Sequence, residues 1–190
     1  MIIGIFGGSF DPIHTGHAIV ANFVAQCNVV EEVWLMVSRR NPLKINDTYA
    51  SNQDRLAMAE IVAQGCKNVK VTDIELKLPV PSFTYNTLQH LKKTFPQHEF
   101  SLIIGSDSLT NLHKWRNIEE IRKEYEIIVY PRPGYALPKE EPDGMTFLSG
   151  APEFGISSSL IREYIASDWD INFFVPQAVS QYIEKNKLYK

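Results

Sequence analysis

Short runs of β-branched and apolar residues alternate along this chain with longer stretches whose apolar residues recur at helical spacing. That alternation leaves few folds open. The candidate strands are IIGIF (2–6), EVWLMV (32–37), NVKVTDIEL (68–76), EFSLIIG (99–105), YEIIVY (125–130) and MTFLS (145–149). Between them, Val20, Phe23, Val24 and Cys27 recur at helical spacing, and Ser51 with Asp54 opens the next helix as a capping box. Leu88, Leu91 and Phe95 mark a third helix, stopped by Pro96. Leu160, Ile161, Tyr164 and Ile165 share one face, and a last helix starts at Pro176 with Val179, Tyr182 and Ile183 inward. Apolar strands alternating with helices predict an α/β fold, a mainly parallel sheet with helices on both faces.

The 190 residues suit one domain, 1–190, with a real core. A net charge of −3, from 19 basic and 22 acidic residues, argues against a nucleic-acid binder. Cys27 and Cys66 lie far apart, with no C-x-x-C, and read as buried reduced thiols. The opening MIIGIFGG lacks the basic region of a signal peptide, and no run approaches the roughly 20 apolar residues of a membrane span. These features predict a cytoplasmic protein.

In open α/β sheets, ligands bind outside the carboxyl ends of the strands. The segments after the strands are GGSFDPIHTGH, SRRNPLK, PVPSFT, GSDSL, YPRPG and GISSSLIR. They hold most of the chain's unusual residues, so glycines, serines, histidines and arginines are expected to meet in one phosphate-friendly crevice. In the first segment, Gly7 and Gly8 allow close approach to the main chain. A helix beginning near His14 offers free N–H groups to an anion, and His14 and His17 would lie on neighbouring faces of its first turn. The glycine spacing matches neither the dinucleotide fingerprint nor the phosphate loop. A zinc site would need a third ligand, which neither cysteine is placed to supply.

In ISSSLIR, Ser157 suits a helix N-cap, while three serines followed by Arg162 are more than capping requires. Arg39, Arg40 and Lys44 cluster after the second strand, either as a solvated loop or as cations facing the crevice. Trp115 sits among polar residues, as a half-buried anchor or a stacking surface. Asp107 either caps the following helix, binds ribose hydroxyls or supports a metal. The proline-rich stretch 131–144 reads as a surface loop, serving as a lid or a homo-oligomer contact.

GGSFDPIHTGH and ISSSLIR together resemble the paired signatures of the HxGH nucleotidyltransferases, whose fold is Rossmann-like and doubly wound. Within them the chain most resembles the bacterial nicotinate-nucleotide adenylyltransferases, through NPLK, PSFTYNTL (81–88), IIGSDSL (103–109), Leu112–Trp115, RPG (132–134) and VPQAVSQYIEKNKLY (175–189). The resemblance implies transfer of AMP from ATP to nicotinate mononucleotide in NAD biosynthesis, with Mg²⁺ carried by ATP and the leaving pyrophosphate rather than by a dedicated carboxylate cage. His14, His17, Lys44 and Arg162 would stabilise the developing charge. Gly7, Gly8, Ser9 and Phe10 would line the nucleotide, with Gly105 and Asp107 also at its site. Ile156, Ser157, Ser158, Ser159 and Arg162 would hold the triphosphate. Ser9, Arg40, Lys44, Thr84, Trp115 and Arg132 would serve the acceptor, Thr84 through its amide and Trp115 by stacking.

The chain departs from the family pattern at Leu43, where many members carry histidine, and at Phe83 within S-F-T. Phosphopantetheine is the acceptor of a related enzyme class that shares both signatures but tends to lack the PSFT, Trp115 and C-terminal features. Nicotinamide mononucleotide differs from the nicotinate by one group, and a nucleotide sensor without turnover is a further alternative.

Overall fold

The computed structural model describes residues 1–39 and 49–190. Six strands run in chain order: β1 Ile2–Gly8, β2 Glu32–Val37, β3 Val69–Thr72, β4 Glu99–Gly105, β5 Ile127–Tyr130 and β6 Met145–Phe147. They form one sheet in the order β3-β2-β1-β4-β5-β6, and every neighbouring pair is parallel. The winding reverses between β1 and β4, which places the switch-point crevice beyond Gly8 and Gly105.

The helices are α1 Thr15–Val24, α2 Asn52–Gln64, α3 Ile74–Lys77, α4 Thr84–Thr94, α5 Leu109–Leu112, α6 Ile118–Glu124, α7 Ser158–Ala166 and α8 Gln177–Lys185. The two-residue period of the strands sorts them onto two core layers. Phe6, Ile103, Ile128 and Tyr130 pack with α1, α2, α7 and α8 side chains such as Val20, Met58, Ile161 and Val179. Ile3, Ile5, Leu102, Ile104, Ile127 and Val129 face the other way, against Leu88, Leu91, Leu112 and Ile121 of α4, α5 and α6. This is the α/β, doubly wound, Rossmann-like fold expected from the sequence. No helix among the described residues is long and apolar enough to cross a membrane.

Boundaries differ from expectation where local chemistry competes with the apolar pattern. The run 68–76 leaves the sheet at Thr72, and Ile74–Lys77 closes one helical turn, with Lys77 Nζ 2.8 Å from Asp73 Oδ1. Alternation of Ile74 and Leu76 mimics a strand, but Asp73 breaks it and Glu75 turns toward Arg39 and Ser82. Tyr125 closes α6 instead of opening β5, its N–H donating to Ile121 O. Both cysteines lie in turns past helix ends and are half-buried rather than fully enclosed.

The deepest charged group is Arg55 of α2, 2% exposed. Its guanidinium donates to the carbonyls of Ser9 and Ser38 and to Asn52 Oδ1, pinning the loops after β1 and β2 to the start of α2. Its planar fork suits several fixed acceptors in a way an ammonium does not. Arg55→Ala is expected to lower unfolding free energy by about 3 kcal/mol or more, because it opens a cavity and strands buried carbonyls. Arg55→Lys should recover less than half of that loss, as read from urea midpoints.

Candidate active site

The chain leaves β1 through two glycines into a turn that a phenylalanine ring fills. A Cβ on Gly8 would lie 2.8 Å from the Phe10 ring, so glycine is required there to seat that side chain. Phe10 has φ +48°, in the left-handed region, and is held by burial and by edge-on contacts with Phe6 and His17 at 5.8 and 5.1 Å. The expectation that Gly8 serves ligand approach therefore acquires a packing cause as well.

His14 is the N-cap of α1, and His17 occupies the third helical position. Each ring takes a backbone hydrogen bond from the other residue: His17 N donates to His14 Nδ1 and His14 N to His17 Nδ1, both at 3.3 Å. This is a capping box made by two imidazoles, which explains their i, i+3 spacing. The rings stack with centroids 3.6 Å apart. With each Nδ1 accepting, the neutral tautomer carries its hydrogen on Nε2, leaving that N–H to donate. Burial, then the Arg132 charge, lowers the His14 pKa to about 4. Burial, then His14 and Arg132, holds His17 well below its usual value. At neutral pH both rings are uncharged donors.

Ser157 caps α7, its hydroxyl accepting from Leu160 N at 3.2 Å. Two side chains of that helix then dock on the first signature. Arg162 Nη1 donates to Asp11 O at 2.6 Å, and Ser158 Oγ donates to Pro12 O at 2.9 Å. The Arg162 guanidinium also lies 4.6 Å over the Tyr49 ring. The result is a cavity of about 280 Å³ lined by Ser9, His14, His17, Tyr49, Arg132, Ser157, Ser158, Ser159 and Arg162. Ile156 lies behind it, lining a small recess with His14, His17 and Arg132.

Gly105 ends β4 where the neighbouring side chains leave no room for another. A Cβ there would lie 2.4 Å from Asp107 Oδ1 and 2.9 Å from Arg132 Cγ. Asp107 sits in the 3₁₀ turn Ser106–Ser108, and α5, the helix that follows, takes Ser108 as its N-cap with no side-chain cap bond, so the capping alternative is set aside. Its Oδ1 lies 3.8 Å from Arg132 Nε, and Ser106 Oγ accepts from Arg132 N at 2.8 Å. Arg132 thus stands between the Asp107 carboxylate and the histidine pair.

The acceptor candidates form a separate group. Thr84 begins α4, and Phe83, its N-cap, has no polar side chain to cap the first amides. Trp115 is half-buried against the second core layer, and the next residue, Arg116, stacks 4.7 Å over the Phe83 ring. That contact brings the tryptophan segment beside the PSFT loop. Glu75 Oε1 accepts from Arg39 N and Ser82 Oγ at 3.2 Å each, while the Arg39 guanidinium donates to Leu76 O. Burial pushes the Glu75 pKa up.

Of the residues singled out by sequence, Ser9, His14, His17, Arg132, Ser157, Ser158, Ser159 and Arg162 share one cavity. Phe10, Gly105, Asp107 and Ile156 adjoin residues that line it, Gly7 and Gly8 end β1, and Thr84 and Trp115 belong to the separate group around Phe83. Arg40 and Lys44 fall outside the described residues. Sequence reasoning missed Asp11, Tyr49 and Arg55. Arg55 left a signal, since it occupies the same helix face as the buried Met58, Ala59 and Val62. Among the described residues, no three His, Cys, Asp or Glu side chains group as metal ligands.

A family model described as cytidylyltransferase-like matches residues 5–164. A probable nicotinate-nucleotide adenylyltransferase of Flavobacterium johnsoniae is 41% identical over 197 residues, covering 100% of both chains. A probable nicotinate-nucleotide adenylyltransferase of Bacteroides fragilis is 40% identical over 176 residues, covering 93% of this chain and 88% of its own. Among solved structures, the Plasmodium falciparum nicotinic acid mononucleotide adenylyltransferase complexed with NaAD superposes with a TM-score of 0.80. At 23% identity, over 99% of this chain and 97% of that one, it shares the fold. By its matched signatures and its full-length relatives, the chain belongs to the cytidylyltransferase-like family, in the branch of the nicotinate-nucleotide adenylyltransferases.

Proposed function

We propose that the cavity between the two signatures holds the phosphates of ATP, and that the chain transfers AMP to nicotinate mononucleotide. An acceptor phosphate oxygen attacks the α-phosphorus, the bond to the bridging oxygen breaks, and pyrophosphate leaves with the electron pair. The attacking oxygen is already ionised at neutral pH, so the reaction needs no protein base. Positioning and charge stabilisation supply the rate.

The observation that carries this reading is the histidine capping box. It places two neutral imidazoles, each with a free Nε2–H, at a cavity shared with Ser9, Ser157, Ser158, Ser159 and Arg162. Arg132 adds a second cation to the same cavity, beside the histidine pair. Charge that develops on the phosphates meets donors already held in place, and an incoming polyphosphate opposes the effect of Arg132 on both rings. Magnesium enters as part of the ATP substrate. On the acceptor side, the uncapped amides opening α4 suit the pyridine carboxylate, and Trp115 provides the ring surface.

Incubation with ATP and magnesium plus one acceptor at a time tests the assignment through pyrophosphate release. Nicotinate mononucleotide should support the fastest release, ahead of nicotinamide mononucleotide and phosphopantetheine. Silence with all three acceptors rejects the enzyme reading, and preference for phosphopantetheine moves the chain to another branch.

Glutamine is a natural third residue of a capping box. His17→Gln therefore removes the imidazole while preserving the helix start, and kcat should fall about 10²–10³-fold with Tm nearly constant. A near-parental kcat would remove His17 from catalysis.

The protonation states also predict a pH dependence. The unfolded chain takes up a proton on His14 below pH 6.5, whereas the folded chain resists until about pH 4. Stability from this source is complete above pH 6.5 and is lost as pH falls toward 4. In His14→Asn, which keeps an N-cap acceptor, the loss between those pH values should shrink by on the order of 3 kcal/mol in urea titrations.

A further inference from the structure

Asp11 is 3% exposed and Tyr189 7% exposed, and neither lines the cavity. The Tyr189 hydroxyl donates to Asp11 Oδ1 at 2.7 Å, from a residue 178 positions away. The same oxygen accepts from Ala50 N at 3.0 Å. Through its backbone carbonyl, Asp11 receives Arg162 at 2.6 Å, and the next carbonyl, Pro12 O, receives Ser158 at 2.9 Å. Two residues beyond Pro12 stands His14, the cap of α1.

We infer that Tyr189, acting through Asp11, is a positioning residue for the transfer step. One carboxylate oxygen fixes the distance between the turn that precedes the histidines, the segment carrying Tyr49, and the chain after α8. Tyr49 in turn supports the Arg162 guanidinium from beneath. A shift of this turn would move the acceptor carbonyls of Arg162 and Ser158 together with the N-cap histidine. Burial and the Asp11 charge push the Tyr189 pKa up, so its hydroxyl remains a donor. The inference rests on the proposed adenylyl transfer, because it concerns the groups assigned to the phosphates there.

The structure contains its own control. Tyr182 Oη donates to Asp54 Oδ1 at 3.0 Å, joining α8 to α2 by a bond of the same kind away from the turn. A purely structural tyrosine would behave alike at both positions. Steady-state pyrophosphate release should show kcat reduced about 10- to 100-fold in Tyr189→Phe, with acceptor KM within about twofold. Tyr182→Phe should keep kcat within about twofold, although both variants lower Tm. Combined with Arg162→Lys, Tyr189→Phe should add little further loss, because both changes act through one turn.

Equal kcat in the two tyrosine variants, or fully additive losses in the double variant, overturns the inference. Should Tyr189→Phe fail to fold, Asp11→Asn serves instead. It keeps the shape and loses the charge that strengthens both bonds. About a tenfold loss of kcat is expected, and parental kcat counts against the inference. A parent chain inactive with every acceptor refutes the functional reading itself, and this inference with it. Active parent with matched tyrosine variants refutes the positioning role alone.

Discussion

Two hydrogen bonds, from Arg162 to Asp11 O and from Ser158 to Pro12 O, join segments about 150 residues apart and make one site of two signatures. The parallel sheet brings the loops after β1 and before α7 to the same edge, but proximity alone leaves them independent. Carbonyls of the first loop supply fixed acceptors, and the guanidinium of the second lies over the Tyr49 ring. Preorganisation of this kind is what phosphate transfer asks of a protein, because the reacting groups bring most of their own chemistry.

Helix capping and the proposed charge stabilisation draw on the same two side chains in the first loop. A serine and a glutamine would cap α1 as well as His14 and His17 do. Imidazoles bring a second ring nitrogen, so one end of each ring satisfies the helix while the other is left over from capping. Burial, with the nearby Arg132 charge added to it, disfavours the charged form of each ring and keeps both neutral.

The architecture and the crevice were legible because they rest on short-range regularities. Apolar period fixed the strands 32–37 and 99–105 to the residue, and the segments just past the strand ends supplied most of the cavity's walls. The features that stayed hidden depend on contacts between distant parts of the chain. Arg55 reads as one more charge until its face is counted with Met58 and Val62. Asp11 looks like a turn residue, and nothing near it in sequence points to Tyr189. At 73–77 the sequence misleads, since apolar residues two apart suit a strand and a short helical turn equally. The carboxylate of Glu75, satisfied by Arg39 and Ser82, settles that competition from outside the segment.

The contact between Gly8 and the Phe10 ring bears on how this motif can vary. Space at residues 8 and 10 is a single shared quantity, because the ring occupies the volume that a side chain at 8 would need. The two positions are therefore not independent sites of substitution. A bulkier residue at one requires a smaller one at the other, and the smaller one uncovers the His17 ring that Phe10 now abuts edge-on. Any drift of the glycine is thus transmitted to the imidazole without a single polar group being touched.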